Sequence, residues 1–343
     1  MKFDVTIFPD DLNKAIDIGL RVEAMGFDGL WTAEAQHNPF LPLTLAATST
    51  NRITLGTQIA VAFPRSPMVT AQIAWDLAAQ SKGRFILGLG TQIKIHIVKR
   101  FSATWIDKPV TQLREYVESV RAIWKAFQEN SPLRYRGEVY SFGFLPPFFN
   151  PGPIEHPDIP IYIAGVGAPL CRLGGELADG FHVHPFHTTK YLREVIHPAI
   201  AEGAAAVGRD PNAVQLSCAV FVVTGTTPEE IEQNTVDIKS QIAFYASTPS
   251  YHKVLEMHGW KDFGERMNQM SKEGKWTEMH REVPDEILHE IAVVAPPDEL
   301  PYKVRERYSG LLHRVGYYFP FKPEEETRQV VWRYASEAMT AHT

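Results

Sequence analysis

The chain has 343 residues, 44% hydrophobic and 22% charged, which is enough apolar material for one large α/β domain or for two ordinary domains. A formal charge of −6 argues against wholesale nucleic-acid binding, and no apolar run reaches the ~18 residues that a membrane span needs. The N-terminus has no signal-peptide core, and Cys171 and Cys218 have neither disulfide-framework nor zinc spacing, so we expect a cytoplasmic protein.

Strand-like and helix-like segments alternate from the start of the chain. The predicted order is a strand at 2–8, a helix at 11–26, a strand at 28–34, a helix at 41–50, a strand at 52–60, a helix at 66–82 and a strand at 84–90. A longer, less regular connection at 91–109 precedes the clearest helix, 110–130. The apolar residues of this helix form one stripe along its surface. A small surface hairpin is predicted at 133–142.

The stretch 159–179 carries the strongest ligand signal in the chain. A short apolar run that starts at Ile161 is followed by Gly165, Gly167 and then Pro169, a residue favoured in the first turn of a helix. The pattern predicts a strand, a tight glycine turn and a helix start. Free backbone N–H groups and the positive end of the helix dipole at such a start suit a phosphate. The alternative is an ordinary strand-to-helix turn without a ligand.

The second half of the chain continues the alternation. The predicted order is a strand at 180–184, a helix at 188–207, a strand at 214–224, a helix at 228–245, a helical excursion at 247–297, a helix at 299–309, a strand at 311–319 and a helix at 323–341. Eight strand–helix units predict an α/β fold, a (β/α)₈ TIM barrel formed by residues 1–343 as one domain, with a helical insertion before the last strand.

A doubly wound sheet is the rival architecture. Such a sheet normally carries a glycine fingerprint in its first strand-to-helix turn, and the turn Phe8-Pro9-Asp10 contains no glycine. The pairs Gly88/Gly90 and Gly165/Gly167 lack a third glycine three residues further on. We therefore favour the barrel, whose active groups lie at the carboxyl ends of the strands.

Several strand ends carry residues suited to chemistry. After the second strand, Glu34 and His37 are candidates for proton transfer, although Glu34 could instead pair with a cation and His37 could be an ordinary loop histidine. The exit of the third strand, 58–65, is apolar and could form a wall for a flat ring, or simply core. After the fourth strand, Thr91, Gln92 and His96 offer hydrogen-bonding groups, beside two cations that a solvated basic loop would equally explain.

The sixth strand ends in two histidines on one face. His182 and His184 are two residues apart, so their side chains point the same way and could form a metal pair. A metal-dependent hydrolase needs further ligands at other strand ends, where the first strand offers Asp10 and Asp11 but no histidine. We favour His184 and Phe186 as groups that line a pocket.

Together these segments resemble the bacterial-luciferase-like flavin and deazaflavin oxidoreductases. The matching stretches are GFDGLWTAEAQHNPFLPL, RITLGTQIAVAFPRSPMVTAQ, GRFILGLGTQIKIHIVKRFS and IPIYIAGVGAPLCRLGGELADGFHVHPF. The stretch IAFYASTPSYHKVLEMHGW is similar to the insertion of a subgroup that depends on an 8-hydroxy-5-deazaflavin, coenzyme F420. The resemblance implies a TIM-like barrel, F420 or alternatively FMN as the cofactor, and a homodimer.

The resemblance also assigns residues. It implies a cofactor-binding set at three strand ends, formed by Gln58, Ile59, Thr91, Gln92, Gly165, Val166, Gly167 and Ala168. In that set, backbone N–H groups of the glycine turn would hold the phosphate, and Gln58–Ile59 matches a bulge with a non-prolyl cis peptide behind the ring. His37 lies near the family's catalytic histidine, where Ala35-Gln36-His37 replaces the usual His-His or Asp-His, so Glu34 is a second candidate.

A hydride donor needs one ring face against a wall and the other open to the substrate. We expect the open side to be shaped by aromatic and imidazole groups: Phe40, Phe63, His96, Trp105, His184 and Phe186. The first hypothesis is a deazaflavin-dependent oxidoreductase that transfers hydride between the reduced coenzyme and a small organic substrate. The alternatives are an FMN-dependent monooxygenase of the same fold, a metal-dependent hydrolase and a non-catalytic coenzyme-binding protein.

Overall fold

A computed structural model describes residues 1–9, 11–319 and 325–340. Eight parallel strands form a closed barrel in which each strand pairs with the next and the last pairs with the first. The barrel strands are β1 (Lys2–Ile7), β2 (Gly29–Thr32), β3 (Thr54–Thr57), β4 (Phe85–Gly90), β5 (Ile161–Gly165), β6 (Gly180–Val183), β7 (Gln215–Val223) and β8 (Arg314–Tyr318). The predicted TIM barrel is confirmed.

Helices surround the barrel and fill the long connections. They are α1 (Lys14–Ala24), α2 (Phe40–Ser49), α3 (Pro67–Gln80), α4 (Pro109–Glu129), α5 (Ala168–Leu177), α6 (Thr189–Tyr191), α7 (His197–Ala206), α8 (Pro228–Ala246), α9 (His252–Glu256), α10 (Lys261–Lys272), α11 (Asp285–Ile291), α12 (Leu300–Tyr308) and α13 (Glu325–Thr340). Among the described residues, no helix is both long and apolar enough to cross a membrane.

Shorter elements complete the fold. π-helical turns span His96–Arg100 and Leu192–Ile196, and 3-10 turns span Pro147–Phe149, Pro211–Ala213, Pro249–Tyr251 and Met279–Glu282. Tyr135–Arg136 and Ser141–Phe142 form the predicted antiparallel hairpin. Between β7 and β8 the chain makes the predicted helical insertion, built from α9, α10 and α11.

The structure differs from the prediction at three elements. The predicted strand 52–60 is broken at Gln58–Ile59 and resumes as Ala60–Val61, which pairs with β4. The predicted helix 188–207 contains the π-helical turn Leu192–Ile196, and the insertion ends in a short strand, Val293–Val294, that extends the sheet beside β7. Asp10 and the ends of the predicted helix 323–341 lie outside the described residues.

The lower interior of the barrel holds a buried ion pair. Arg314 donates two hydrogen bonds to the carboxylate of Asp4 at 2.7 and 2.8 Å, and the Trp31 indole donates a third at 2.8 Å. Both charged side chains are almost fully buried, so the paired charge and the indole donor offset the cost of removing them from water. These side chains fill the interior of the barrel below the carboxyl ends of the strands. A site is therefore to be sought at the rim formed by those ends.

Candidate active site

A cis peptide bond joins Gln58 and Ile59 at the rim of the barrel, where the resemblance implies it. The Gln58 N–H donates to the Thr32 carbonyl at 2.7 Å, and the Ile59 carbonyl accepts the Glu34 N–H at 3.0 Å. Gly90 leaves room for the bulge, because a Cβ there would lie 2.7 Å from Cδ1 of Ile59. The bulge is therefore seated between the ends of β2 and β4.

The Gln58 side chain is held from inside the barrel. Its Oε1 accepts the Thr6 hydroxyl at 3.0 Å, and its Nε2 lies 3.3 Å from Nδ1 of His182. His182 is buried between the rings of Trp31 and Tyr162. Burial lowers the pKa of His182 to about 3, so the ring is neutral at pH 7 and its Nδ1 can accept the amide hydrogen.

The glycine turn after β5 leads into α5 as predicted. Gly167 is the N-cap residue with an extended backbone, and no side chain caps the helix. The N–H groups of Gly167 and Ala168 make no hydrogen bond to any residue in the described part of the chain. A Cβ on Gly167 would contact only Cδ of Pro169, at 3.6 Å, whereas the Val166 carbonyl accepts the Tyr191 hydroxyl. Two backbone donors are thus available to an anion.

Glu34 forms a buried ion pair with Arg65. Its carboxylate accepts hydrogen bonds from Arg65 at 2.6 and 2.7 Å and from the Val61 N–H at 2.7 Å. Only 6% of its side chain is exposed. Glu34 therefore ties the loop after β2 to the segment that follows the bulge.

His37 lies on the exposed part of the same loop. It lines a small cavity of about 30 Å³ at the carboxyl ends of β1 and β2, together with Phe8, Thr32 and other loop residues. Unlike Glu34, His37 makes no ion pair or side-chain hydrogen bond with the residues described, so its imidazole is accessible at the rim.

The loop after β4 presents the predicted polar groups. Thr91 and Gln92 are half-buried, and Gln92 has a left-handed backbone with φ of 58°. The Gln92 Oε1 accepts the N–H of Ile93 at 3.0 Å. His96 begins the π-helical turn and is also half-buried. Within the described part of the chain, its side chain makes no hydrogen bond or ring contact with the predicted cofactor-binding groups.

Two of the predicted pocket aromatics meet at the rim. The rings of Phe63 and Trp105 are in edge-to-face contact with centroids 6.0 Å apart, and Trp105 donates to Asp107 at 2.8 Å. Phe40 is buried at the start of α2, and the Arg65 guanidinium lies over its ring. Phe63 and Trp105 thus form a contiguous aromatic surface, while Phe40 supports the ion pair from below.

His184 and Phe186 lie together at the end of β6, in an aromatic group that the sequence prediction did not anticipate in full. The His184 Nδ1 accepts the Phe186 N–H at 3.1 Å, and its Nε2 lies 3.3 Å from the Tyr251 hydroxyl. The ring of Tyr245 meets that of His184 at 4.6 Å. Burial lowers the pKa of His184 to about 3.

His182 in β6 and His184 just after it have different hydrogen-bond partners. His182 is bonded to Gln58 inside the barrel, whereas His184 is bonded to Tyr251 at the mouth. In residues 1–9, 11–319 and 325–340, no group of three or more His, Cys, Asp or Glu side chains is placed to hold a metal ion. The metal-hydrolase alternative therefore lacks the further ligands that it requires among these residues.

A larger groove, of about 770 Å³, lies at the opposite end of the barrel. Its lining includes Ile159, just before β5, and Asp179, just before β6, together with residues of α4. In TIM barrels the chemistry is located at the carboxyl ends of the strands, and the amino-terminal face serves stability. We therefore place the candidate site at the rim and not in this groove.

Sequence reasoning missed several contributors to the site. Arg65 was visible only as part of an apolar strand exit, and Thr6 only as an ordinary strand residue. Tyr251 lies in the insertion, where scattered apolar residues gave no position relative to the barrel. A signal for Tyr251 was present in the stretch YASTPSY, which places two tyrosines around a proline turn directly after a helix.

The fold is an α/β barrel whose rim carries the Gln58–Ile59 bulge and the unpartnered N–H groups at the start of α5. The family model for luciferase-like monooxygenases matches residues 4–314. An uncharacterized protein of Mycobacterium tuberculosis is 46% identical over 315 residues, which is 92% of each chain. The 5,10-methylenetetrahydromethanopterin reductase of Archaeoglobus fulgidus is 27% identical over 95% of this chain and 96% of its own.

A solved structure shares the fold. The coenzyme F420-dependent tetrahydromethanopterin reductase of Methanopyrus kandleri superposes with a TM-score of 0.79 at 23% identity, covering 99% of both chains. The chain therefore belongs to the luciferase-like monooxygenase family, a family of oxidoreductases. The resemblance stated from the sequence is confirmed.

Proposed function

We propose that this protein is a coenzyme F420-dependent oxidoreductase that transfers hydride between the coenzyme and a small organic substrate. The observation that carries the proposal is the pair of unpartnered N–H groups at the start of α5, on the same rim as the Gln58–Ile59 bulge. F420 is supported by the name of the Methanopyrus kandleri reductase and by that of a putative coenzyme F420-dependent oxidoreductase of Mycobacterium tuberculosis, which is 27% identical over 81% of this chain.

The residues of the rim fit a phosphorylated tricyclic cofactor. Gly167 and Ala168 would bind the phosphate through their N–H groups, with Gly165 and Val166 shaping the turn. Ile59 and the backbone at Gln58 would support one ring face. Thr91 and Gln92, which are half-buried just after β4, would bind the ring or the ribityl chain. When bound, the deazaflavin supplies a hydride-accepting and hydride-donating carbon.

We assign His37 the proton-transfer role and Glu34 an anchoring role. His37 is accessible on the rim, and an imidazole is suited to give or take a proton near neutral pH. The Glu34 carboxylate accepts hydrogen bonds from Arg65 and from the Val61 N–H, so it holds the loop that carries His37. The aromatic surface of Phe63 and Trp105 would face the substrate, with His96, His184 and Phe186 around the mouth.

An FMN-dependent monooxygenase is the second candidate, because the family model itself describes monooxygenases. A deazaflavin reacts poorly with oxygen, so the two chemistries separate in one experiment. The purified protein is mixed anaerobically with oxidised F420 and a panel of alcohols, and separately with reduced FMN and oxygen. We expect loss of the visible absorbance of oxidised F420 with at least one alcohol. Oxygenation of a substrate with reduced FMN, above the oxygen uptake of free reduced FMN without protein, together with no reaction of F420, would overturn the proposal.

We also propose a cytoplasmic homodimer. Cys171 and Cys218 are both buried and free, which suits a reducing compartment. The dimer is a family expectation, and light scattering of the purified protein tests it directly.

A further inference from the structure

Six rings meet at the mouth of the barrel above β6, β7 and β8. They form the rim cluster: His184, Phe186, Phe221, Tyr245, Tyr251 and Tyr318. Tyr245 comes from the end of α8, and Tyr251 comes from the 3-10 turn that opens the insertion. Centroid separations within the cluster run from 4.6 to 6.3 Å, so the rings are in mutual contact.

The rim cluster faces the barrel axis. The ring of His182 lies inside the barrel against Trp31, and His184 is two residues further along, which puts both on one strand face. Arg314 likewise points inward to the ion pair, and Tyr318 is four residues further along β8. The half-buried members of the cluster therefore border the space where the open face of a ring cofactor would lie.

The Tyr251 hydroxyl of the cluster is free to donate a hydrogen bond to a ligand. Because Nδ1 of His184 accepts the Phe186 N–H, the neutral imidazole carries its proton on Nε2 and donates it to the Tyr251 oxygen at 3.3 Å. The Tyr251 hydrogen then has no acceptor among the residues that the structure describes. Burial raises the pKa of Tyr251 to about 12, so the hydroxyl keeps this hydrogen at pH 7.

The neighbouring tyrosine provides a contrast. The Tyr245 hydroxyl is engaged with Tyr318 and Gln241, so it has partners within the protein. No member of the rim cluster carries a charge at pH 7, since burial also keeps His184 neutral. A charged substrate group would lose hydration here without a countercharge from these rings, whereas a neutral acceptor would gain a hydrogen bond.

We propose that Tyr251 donates a hydrogen bond to a neutral carbonyl-type oxygen of the substrate, with His184 as the positioning residue that fixes the Tyr251 hydroxyl. The substrate class that fits is an uncharged carbonyl compound, or the corresponding alcohol, on a flat apolar frame that packs on the rings. The inference rests on the proposed function, because it places the substrate at the same rim.

The test uses two probes that differ in one oxygen. The probes are 4-fluoroacetophenone and 1-ethyl-4-fluorobenzene, and their binding to the full-length protein is followed by ¹⁹F NMR. The ratio of ketone to hydrocarbon affinity should fall about two- to tenfold in Tyr251→Phe, the effect of one neutral hydrogen bond. Tyr245→Phe, the matched control, should keep the wild-type ratio. His184→Leu should lower the ratio, and His184→Gln, which retains a donor, should restore part of it.

Two outcomes would overturn the inference. One is an unchanged ratio in folded Tyr251→Phe, with folding checked by circular dichroism. The other is no saturable binding of either probe to the wild-type protein. Neither outcome depends on turnover or on which coenzyme binds, so a failure here is distinguishable from a failure of the F420 proposal.

Discussion

Glu34 and Arg65 are joined by two hydrogen bonds of 2.6 and 2.7 Å across the segment that contains the Gln58–Ile59 bulge. Their side chains are 6% and 17% exposed, which makes this one of the most buried ion pairs at the rim. The pair connects the loop that carries His37 to the start of the α3 region. The ion pair thereby fixes the loop that follows β2 to a residue that follows the bulge.

Loss of Arg65 should destabilise the protein. Arg65→Met leaves the Glu34 carboxylate buried with the Val61 N–H as its remaining donor, so the free energy of unfolding should fall by about 3 kcal/mol. Urea denaturation at pH 7 measures the free energy of unfolding of the variant and of the wild type. The control is Arg21→Met, which removes an exposed pair with Glu325 and should cost less than about 1 kcal/mol. Equal losses in the two variants would show that the rim pair has no structural role.

Replacement of His37 should affect turnover and not cofactor binding. His37→Gln should lower kcat/KM by about 10²- to 10⁴-fold, the usual contribution of a general acid or base. Because His37 lies at the ends of β1 and β2, away from the glycine turn after β5, the cofactor Kd should stay within about twofold of wild type. Steady-state kinetics and a fluorescence titration measure the two quantities. The control is His289→Gln on α11, an exposed histidine. Full activity in His37→Gln would remove this residue from the mechanism.

Ala168 offers a way to delete one backbone donor. It is the first residue of α5, where proline is tolerated, and Gly167 before it has φ of −92° and ψ of 157°, which a following proline requires. Ala168→Pro should weaken binding of the phosphorylated cofactor by about tenfold or more, as expected for a charge-assisted hydrogen bond. Binding of the phosphate-free ring and ribityl fragment should not change.

The matched control for that experiment is Ala168→Gly, which keeps the N–H. If Ala168→Pro weakens both ligands equally, or neither, the phosphate does not lie at the start of α5. Thermal unfolding of the variant confirms that the helix remains intact.

The fold was largely predictable from the sequence, and the site only in part. Alternating apolar strands and amphipathic helices predicted the barrel, and Gly165, Gly167 and Pro169 predicted the strand, the turn and the helix start that follow Ile161, because local patterns encode both. The phosphate role of that turn stays a prediction. The ion pair of Glu34 with Arg65 joins residues 31 apart, and the contact of His184 with Tyr251 joins residues 67 apart. Local periodicity carries no information on contacts between residues so far apart in the chain. The sequence analysis therefore predicted Glu34 and His184 as site residues but not their partners, Arg65 and Tyr251.

Three buried histidines should make the protein sensitive to acid. Burial lowers the pKa of His182 and His184 to about 3 and that of His187 to about 4, against 6.5 for an exposed imidazole. Below pH 6.5 these three histidines bind protons in the unfolded chain but stay neutral in the folded one. The free energy of unfolding therefore decreases as the pH falls from 6.5 towards 3. Urea unfolding at pH 7 and pH 5 measures the loss. His187→Gln should reduce it by about 2 kcal/mol.

His289→Gln is again the control for that comparison and should show the wild-type loss. A loss that is the same in His187→Gln and in the wild type would contradict the assignment of a neutral, buried imidazole to this position.

We propose that the rim binds a phosphorylated deazaflavin. The most direct measurement is a fluorescence titration of the full-length protein with F420 and, separately, with FMN. We expect saturable binding of one F420 per chain, about tenfold or more tighter than FMN. Tight binding of FMN with no binding of F420 would contradict it.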